Sequence, residues 1–213
     1  MTLDVTWALL WVRLTAESVR AAKDELTELD RVIGDGDHGE NLDRGFTAVS
    51  AKLGALEEQP ARIDEVLKIV ATTLMSKVGG ASGPLYGTAF LRAAKVTGIP
   101  ELDSQGVVAL LEAALEGITA RGHAEAGQKT MVDAWQPAVD AAEAAAGAGD
   151  DPERVLAAAA RAAADGARST TPMVATKGRA SYLGERSAGH EDPGAASTRL
   201  ILDAAVRAAE ERG

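Results

Sequence analysis

Apolar side chains recur every three to four residues along most of the chain, and polar, glycine-rich stretches interrupt them at intervals. In the first segment Trp7, Leu10, Trp11, Leu14, Val19, Ala22 and Leu26 share one helical face, which predicts a helix over 4–28 with both tryptophans in the core. The same spacing predicts helices over 38–53, 63–77, 82–96, 104–121, 133–146, 152–169 and 192–211. Ser82 is a good N-cap, and Pro84 is tolerated in a first helical turn. Gly45 falls inside the second helix, which costs stability unless something packs closely there. No run alternates with the period of a strand. The expected fold is therefore all-α, with residues 1–213 as one domain of eight antiparallel up-and-down helices. Numbered in that order, the turns 1–2, 3–4, 5–6 and 7–8 share one end of the assembly. Those four turns hold every unusual segment of the sequence, which points to a single site at that pole.

Composition narrows the picture. Hydrophobic residues make up 46% of the 213 but aromatic ones only 3%, so the core rests on small side chains at close helix contacts. A formal charge of −10 argues against nucleic acid or an anionic membrane as partner. With no cysteine, disulfides and thiol chemistry are excluded. Residues 5–12 are apolar, but Asp4 precedes them without a basic leader and Arg13 ends the run, so no signal peptide or membrane span is expected. The reading is a cytoplasmic protein.

The first turn carries the clearest chemistry. Asp30, Asp35 and Asp37 lie within eight residues, with Gly34, Gly36 and Gly39 among or just after them and His38 and Asn41 following. Like charges this close repel, so a cation belongs among them. Oxygen donors on a short loop suit Mg²⁺ or Ca²⁺ better than Zn²⁺. A calcium EF-hand fails: counted from Asp35, the required Gly is Glu40 and the required Glu is Phe46. A solvated acidic turn is the ordinary alternative.

The other turns are weaker signals taken singly. Val78–Thr88 is a glycine-rich turn opening a helix, a geometry that presents N–H groups to an anion but that also serves plain helix packing. It matches neither a Walker loop nor a dinucleotide fingerprint. The loop Gly122–Thr130 leads to Met131, whose ordinary role is core. Residues 170–194 form the longest irregular stretch and carry Lys177, Arg179, Arg186 and several glycines, as a loop covering phosphates would. His123 and His190 read as structural.

Taken together these segments resemble the L subunit of dihydroxyacetone kinases. That family's Asp-x4-Asp-x-Asp-His-Gly-x-Asn motif reads here as Asp30, Asp35, Asp37, His38, Gly39 and Asn41. Further motifs follow in order: Gly-Gly-Ala-Ser-Gly-Pro-Leu-Tyr-Gly-Thr at 79–88, Lys-Thr-Met at 129–131, Lys-Gly-Arg-Ala-Ser-Tyr-Leu-Gly-Glu-Arg-Ser at 177–187 and Gly-His-x-Asp-Pro-Gly-Ala at 189–195. The resemblance spans essentially the whole chain.

It implies a closed eight-helix barrel with ADP or ATP and two Mg²⁺ ions at one end. The three aspartates would hold the metals. Nucleotide contacts would come from His38, Gly39, Asn41, Ala81, Ser82, Gly122, Thr130, Met131, Arg179, Asp192, Pro193 and Gly194, with Arg179 and His38 serving the transfer itself. The family's L subunit does not bind the sugar. A K subunit holds dihydroxyacetone, and in the phosphotransferase-dependent branch a phosphohistidine-carrying M subunit recharges retained ADP. An L module standing alone favours that branch. An ATP-dependent kinase for another small sugar, a non-catalytic Mg-nucleotide regulatory module and a homodimer are left open. A metal phosphohydrolase would need a positioned water and base that the sequence does not clearly offer.

Overall fold

The computed structural model describes residues 2–212. Among them lie nine α-helices: α1 Val5–Ala21, α2 Lys23–Ile33, α3 His38–Gly54, α4 Ile63–Lys77, α5 Ser82–Val96, α6 Ser104–Gly122, α7 Val132–Gly147, α8 Pro152–Ser169 and α9 Pro193–Arg212. Short 3₁₀ turns cover Arg179–Ser187, kinked at Gly184 (φ 55°, ψ −131°). The described residues contain no strand, only a two-residue bridge in which Leu3 and Leu102 exchange backbone hydrogen bonds of 2.9 and 2.7 Å. Aspartates start several helices as expected of N-caps: Asp4 accepts from Thr6 N–H at 2.8 Å, Asp103 from Gly106 N–H at 2.8 Å and Asp151 from Arg154 N–H at 2.9 Å.

From α3 to α9 each helix packs on the next, and α1 bridges α9 and α3, so the helices close into a ring. The tryptophans make that closure. Trp7 and Trp11 stack with ring centroids 5.0 Å apart, and Trp11 meets Phe90 at 5.6 Å. Their indole N–H groups donate across the seam to Ala205 O at 3.0 Å and Ile201 O at 2.8 Å on α9. Both rings are core, as the periodicity predicts, and their polar edges are satisfied. Elsewhere the ring is tightened by small residues. Ala159, Ala163, Ala167, Ala204, Ala205 and Ala208 are buried on α8 and α9. At Gly45 a Cβ would collide with Val78, so the glycine is what lets α3 approach α4.

Three expectations are revised. Ser82 is not an N-cap: α5 begins at Ser82 itself, and its hydroxyl turns instead to His38 Nδ1, 3.0 Å away. The helix predicted over 4–28 is two helices, broken at Ala22, where φ −95° and ψ 7° leave helical values. No residue from Arg20 to Glu25 is fully buried, and only the half-buried Ala22 touches the core there, so that turn is weakly held. The apolar face then resumes at Leu26 and carries α2 on to Ile33, both 1% exposed. Asp30 therefore stands on the last turn of a helix, not in the loop. The stretch 170–194 is also more ordered than expected. Beyond its 3₁₀ turns, the buried Ser187 hydroxyl accepts from Ala175 N–H at 2.8 Å and donates to Gly184 O at 2.6 Å.

Candidate functional site

The turns between α2 and α3, between α4 and α5, and between α6 and α7 meet the 170–192 loop at one pole of the ring. They enclose a cleft of two adjoining cavities. One, about 170 Å³, is lined by the Asp cluster, the α5 N-terminus, the 129–131 turn and Asp192–Gly194. The other, about 400 Å³, is lined chiefly by apolar groups, among them Pro84, Leu85, Ile118, Ala124, Met131 and Val132. Ala81, Leu85, Thr130, Met131, Lys177 and Gly178 belong to both. The parity of the turns thus places the unusual segments together, as the order of helices predicts.

At the polar end, one carboxylate oxygen from each of Asp30, Asp35 and Asp37 lies within 4.8 Å of the others. The local chain explains how. Asp30, on the last turn of α2, accepts at Oδ2 from the backbone N–H of Asp37 at 2.9 Å and of His38 at 3.1 Å. One buried carboxylate therefore folds the 34–37 turn back on itself and still offers its second oxygen. At Gly39 a Cβ would strike the Lys23 carbonyl oxygen, so glycine there lets the first turn of α3 press against α2. Arg179 reaches this cluster from the opposite loop, with Nη2 3.0 Å from Asp35 Oδ2. The donor set is entirely oxygen, and its spacing fits a hard divalent cation.

His38 lies beneath the cluster, buried between two hydroxyls: Nδ1 is 3.0 Å from Ser82 Oγ and Nε2 is 2.9 Å from Ser197 Oγ. Burial pulls its pKa down to about 4 against the opposing charges of Asp30, Asp37 and Asp35. A neutral imidazole has one donor and one acceptor nitrogen, so one hydroxyl donates to it and the other accepts. The chain of hydrogen bonds continues from Ser197 to Tyr86 Oη at 2.6 Å, and Tyr86 also meets Gly194 O at 3.0 Å and Thr198 Oγ1 at 3.1 Å. Burial pushes the Tyr86 phenol up, which keeps its proton in place. Asp192 caps α9, accepting from Ala195 N–H at 2.8 Å. Its burial raises its pKa to about 7, against those backbone donors.

Most of the residues named from the sequence meet here. The three aspartates, His38, Ala81 and Ser82 line the polar cavity from one side, and Thr130, Met131, Arg179, Asp192, Pro193 and Gly194 from the other. Gly122 lines the apolar cavity alone. Gly39 and Asn41 line neither. Gly39 packs on α2, and Asn41 is buried behind Gly79, where its Oδ1 accepts from Arg44. Glu40 is exposed and outside the cleft. His123 follows α6 in a left-handed conformation and lines neither cavity.

Sequence reasoning passed over Tyr86, Lys129, Asp133 and Ser197. Tyr86 and Lys129 stand inside segments quoted as motifs, so the signal was present but carried no role. Ser197 had only the faint signal of a polar residue in an alanine-rich helix start.

Comparison with known proteins identifies the family. The DAK2 domain family matches residues 32–207. The chain is 45% identical to the ADP-binding subunit of PEP-dependent dihydroxyacetone kinase 1 from Listeria innocua, over 97% of this chain and 98% of that one. It is 42% identical to the ADP-binding subunit of the Escherichia coli PEP-dependent dihydroxyacetone kinase, over 99% and 100%. Among solved structures, the native dihydroxyacetone kinase of C. freundii superposes with a TM-score of 0.73 at 25% identity, covering 94% of this chain and 34% of that longer one. This all-helical chain belongs to the DAK2 domain family, among the L subunits of dihydroxyacetone kinases.

Proposed function

We propose that this chain is the phosphoryl-donor subunit of a dihydroxyacetone-type kinase. It would bind Mg²⁺-nucleotide and pass the γ-phosphoryl group to a small ketose held on a separate K subunit. ADP would stay bound between turnovers and be recharged by a phosphohistidine-carrying M subunit. The observation that carries the reading is the two-part cleft. A three-carboxylate cluster with oxygens within 4.8 Å stands at its polar end, and an apolar cavity of about 400 Å³ adjoins it. That arrangement suits a molecule with a polyanionic end and a flat apolar end, one needing cations and the other a slot. The full-length similarity to ADP-binding subunits of PEP-dependent kinases supports both the nucleotide and the retained-ADP branch.

Asp30, Asp35 and Asp37 would hold two Mg²⁺ ions. Bound there, the metal supplies charge neutralisation to the phosphate oxygens during an in-line transfer. The chain's own groups do the rest. The N-terminus of α5 at Ala81 and Ser82 offers backbone N–H groups and a positive dipole end to an anion. Neutral His38 orients the Ser82 hydroxyl. Arg179, 3.0 Å from Asp35, stands where a planar cation can reach a terminal phosphate beside the carboxylates. Met131, Leu85 and Ile118 would wall the base. The acceptor must come from outside, because a transferable phosphoryl needs an alcohol within near-attack distance and the K subunit supplies it.

The test is reconstitution. The chain alone should give no dihydroxyacetone phosphate. With a K subunit, dihydroxyacetone and a phosphohistidine donor, product should form. Arg179→Ala should lower that turnover by about a hundredfold while the K subunit still binds. Full-rate transfer by the isolated chain, or failure to bind Mg-ADP, would overturn the assignment.

A further inference from the structure

Lys129 is 1% exposed, an unusual place for a lysine unless its ammonium is fully partnered. The partners are backbone carbonyls, and all belong to one loop. Nζ donates to Thr170 O at 2.6 Å, to His190 O and, at 3.4 Å, to Thr171 O. Thr170 and Thr171 follow α8, whereas His190 precedes α9, so the ammonium joins the two stems of the 170–192 loop. An ammonium has three donors, and here they face three carbonyls. The ammonium, although Lys129 lines the polar cavity, is thus committed to the loop carbonyls. Burial lowers the pKa of Lys129, and the nearby Asp192 and Asp133 oppose that shift.

The backbone under Lys129 is equally constrained. Its φ is 62°, in the left-handed region that a lysine adopts only when the surroundings over-determine it. Asp133 supplies that constraint, accepting from Gly127 N–H at 2.5 Å and Thr130 N–H at 2.8 Å, so that the 127–130 turn wraps its carboxylate. A second tie runs between the loops, from Thr176 N–H to Gln128 O at 3.3 Å. At the α9 stem, Asp192 N–H donates to Thr170 Oγ1 at 2.9 Å. Both loops line the cleft on either side of this junction.

We propose that Lys129 is a positioning residue for the nucleotide site: its ammonium clamps both stems of the 170–192 loop onto the 127–131 turn, and so sets where Lys177 and Arg179 stand relative to Thr130 and Met131. The clamp is made entirely by groups of the chain itself. Its consequence for binding rests on the nucleotide reading above.

The experiment compares the unaltered chain with Lys129→Met, which keeps the length and apolar stem but removes the donors. Hydrogen exchange in 170–192 of the ligand-free variant should speed up roughly tenfold or more. Mg-ADP affinity, measured by calorimetry, should fall by roughly ten- to a hundredfold, the range seen when a residue that orients a ligating group is lost. A lysine that contacted phosphate would weaken affinity but leave ligand-free exchange unchanged, and that result would overturn the clamp. A residue serving stability alone would lower the melting temperature without changing affinity, which overturns it equally. The chain has no cysteine, so Lys129→Cys can be aminoethylated in denaturant at that one position and refolded. Restoring the ammonium in this way should recover both loop protection and affinity.

If neither variant folds, the unaltered protein still decides. Lys129 should react with an amine-acylating reagent far more slowly than the exposed Lys52 and Lys95, and equal rates would refute the clamp. If the unaltered chain binds no Mg-ADP, the nucleotide reading fails and takes the clamp's role in binding with it. If the unaltered chain binds Mg-ADP and Lys129→Met matches it in affinity and exchange, only the clamp fails.

Discussion

Two acidic sites in this molecule differ in what surrounds them. At the start of α4, Asp64 is buried at 3% exposure, yet it receives Arg62 Nε at 2.8 Å and Lys68 Nζ at 2.6 Å. The Arg62 hydrogen bond, helped by Lys68, holds its pKa down to about 2. At the cleft, Asp30, Asp35 and Asp37 crowd within 4.8 Å, and among the described residues the only salt bridge to them is Arg179 on Asp35. One site is balanced by cations two and four residues away along the chain. The other keeps a surplus of negative charge that the chain does not neutralise. Balanced charge serves the fold, and the surplus is what a ligand cation would offset.

The sharpest way to break the comparison is to remove one carboxylate from each site. Asp35→Ala should cost about a hundredfold in Mg-ADP affinity by calorimetry. Its ligand-free melting temperature should hold or rise, because like charges are separated. A lower melt in that variant would mean that the cluster is structural. Asp64→Ala should do the reverse: nucleotide affinity unchanged, and stability lower by about 1–2 kcal/mol, a drop of a few degrees in a chain this size.

Acid sharpens the contrast further. A carboxyl with a lowered folded pKa stabilises above its unfolded value and loses that contribution as pH falls through the folded one. For Asp64 the window runs from 3.8 down to about 2. The gap in melting temperature between the parent and Asp64→Ala should therefore stay constant down to about pH 5 and close toward pH 2. A gap that persists at the acid end would assign the loss to packing, not charge.

The smallest effect is screening. Raising ionic strength from about 0.01 to 1 M shortens the screening length from about 30 to 3 Å. Relief of repulsion should raise the metal-free parent's melt by about a degree relative to Asp35→Ala. Equal salt responses would show that the three charges do not repel measurably.

Much of this was legible without coordinates. Helix order followed from apolar spacing, since a face that must be buried repeats at 3.6 residues whatever it packs against. The Asp30–Asp37 cluster was legible because its members are close along the chain. The break at Ala22 was not, because no proline or glycine marks it. It arises where one helical turn has no buried side chain, and burial belongs to the whole assembly.

The same distinction separates the site residues. Asp35, Asp37, Ser82 and Arg179 line the cleft as the sequence implies, whereas Gly39 and Asn41 stand behind its wall. Which face of α3 meets solvent depends on how α2 and the Gly79 turn lie against it, and local pattern does not encode that.

Short-range spacing and chain direction are enough to set the helical pattern, apart from the break at Ala22, the acidic turn and the gathering of the unusual loops at one pole. Packing in three dimensions is what brings Lys129 to carbonyls 41 and 61 residues away and fixes His38 between Ser82 and Ser197. Hydrogen bonds across such separations depend on how the helices close into a ring, and a burial that leaves a lysine or histidine satisfied is a property of that closure alone.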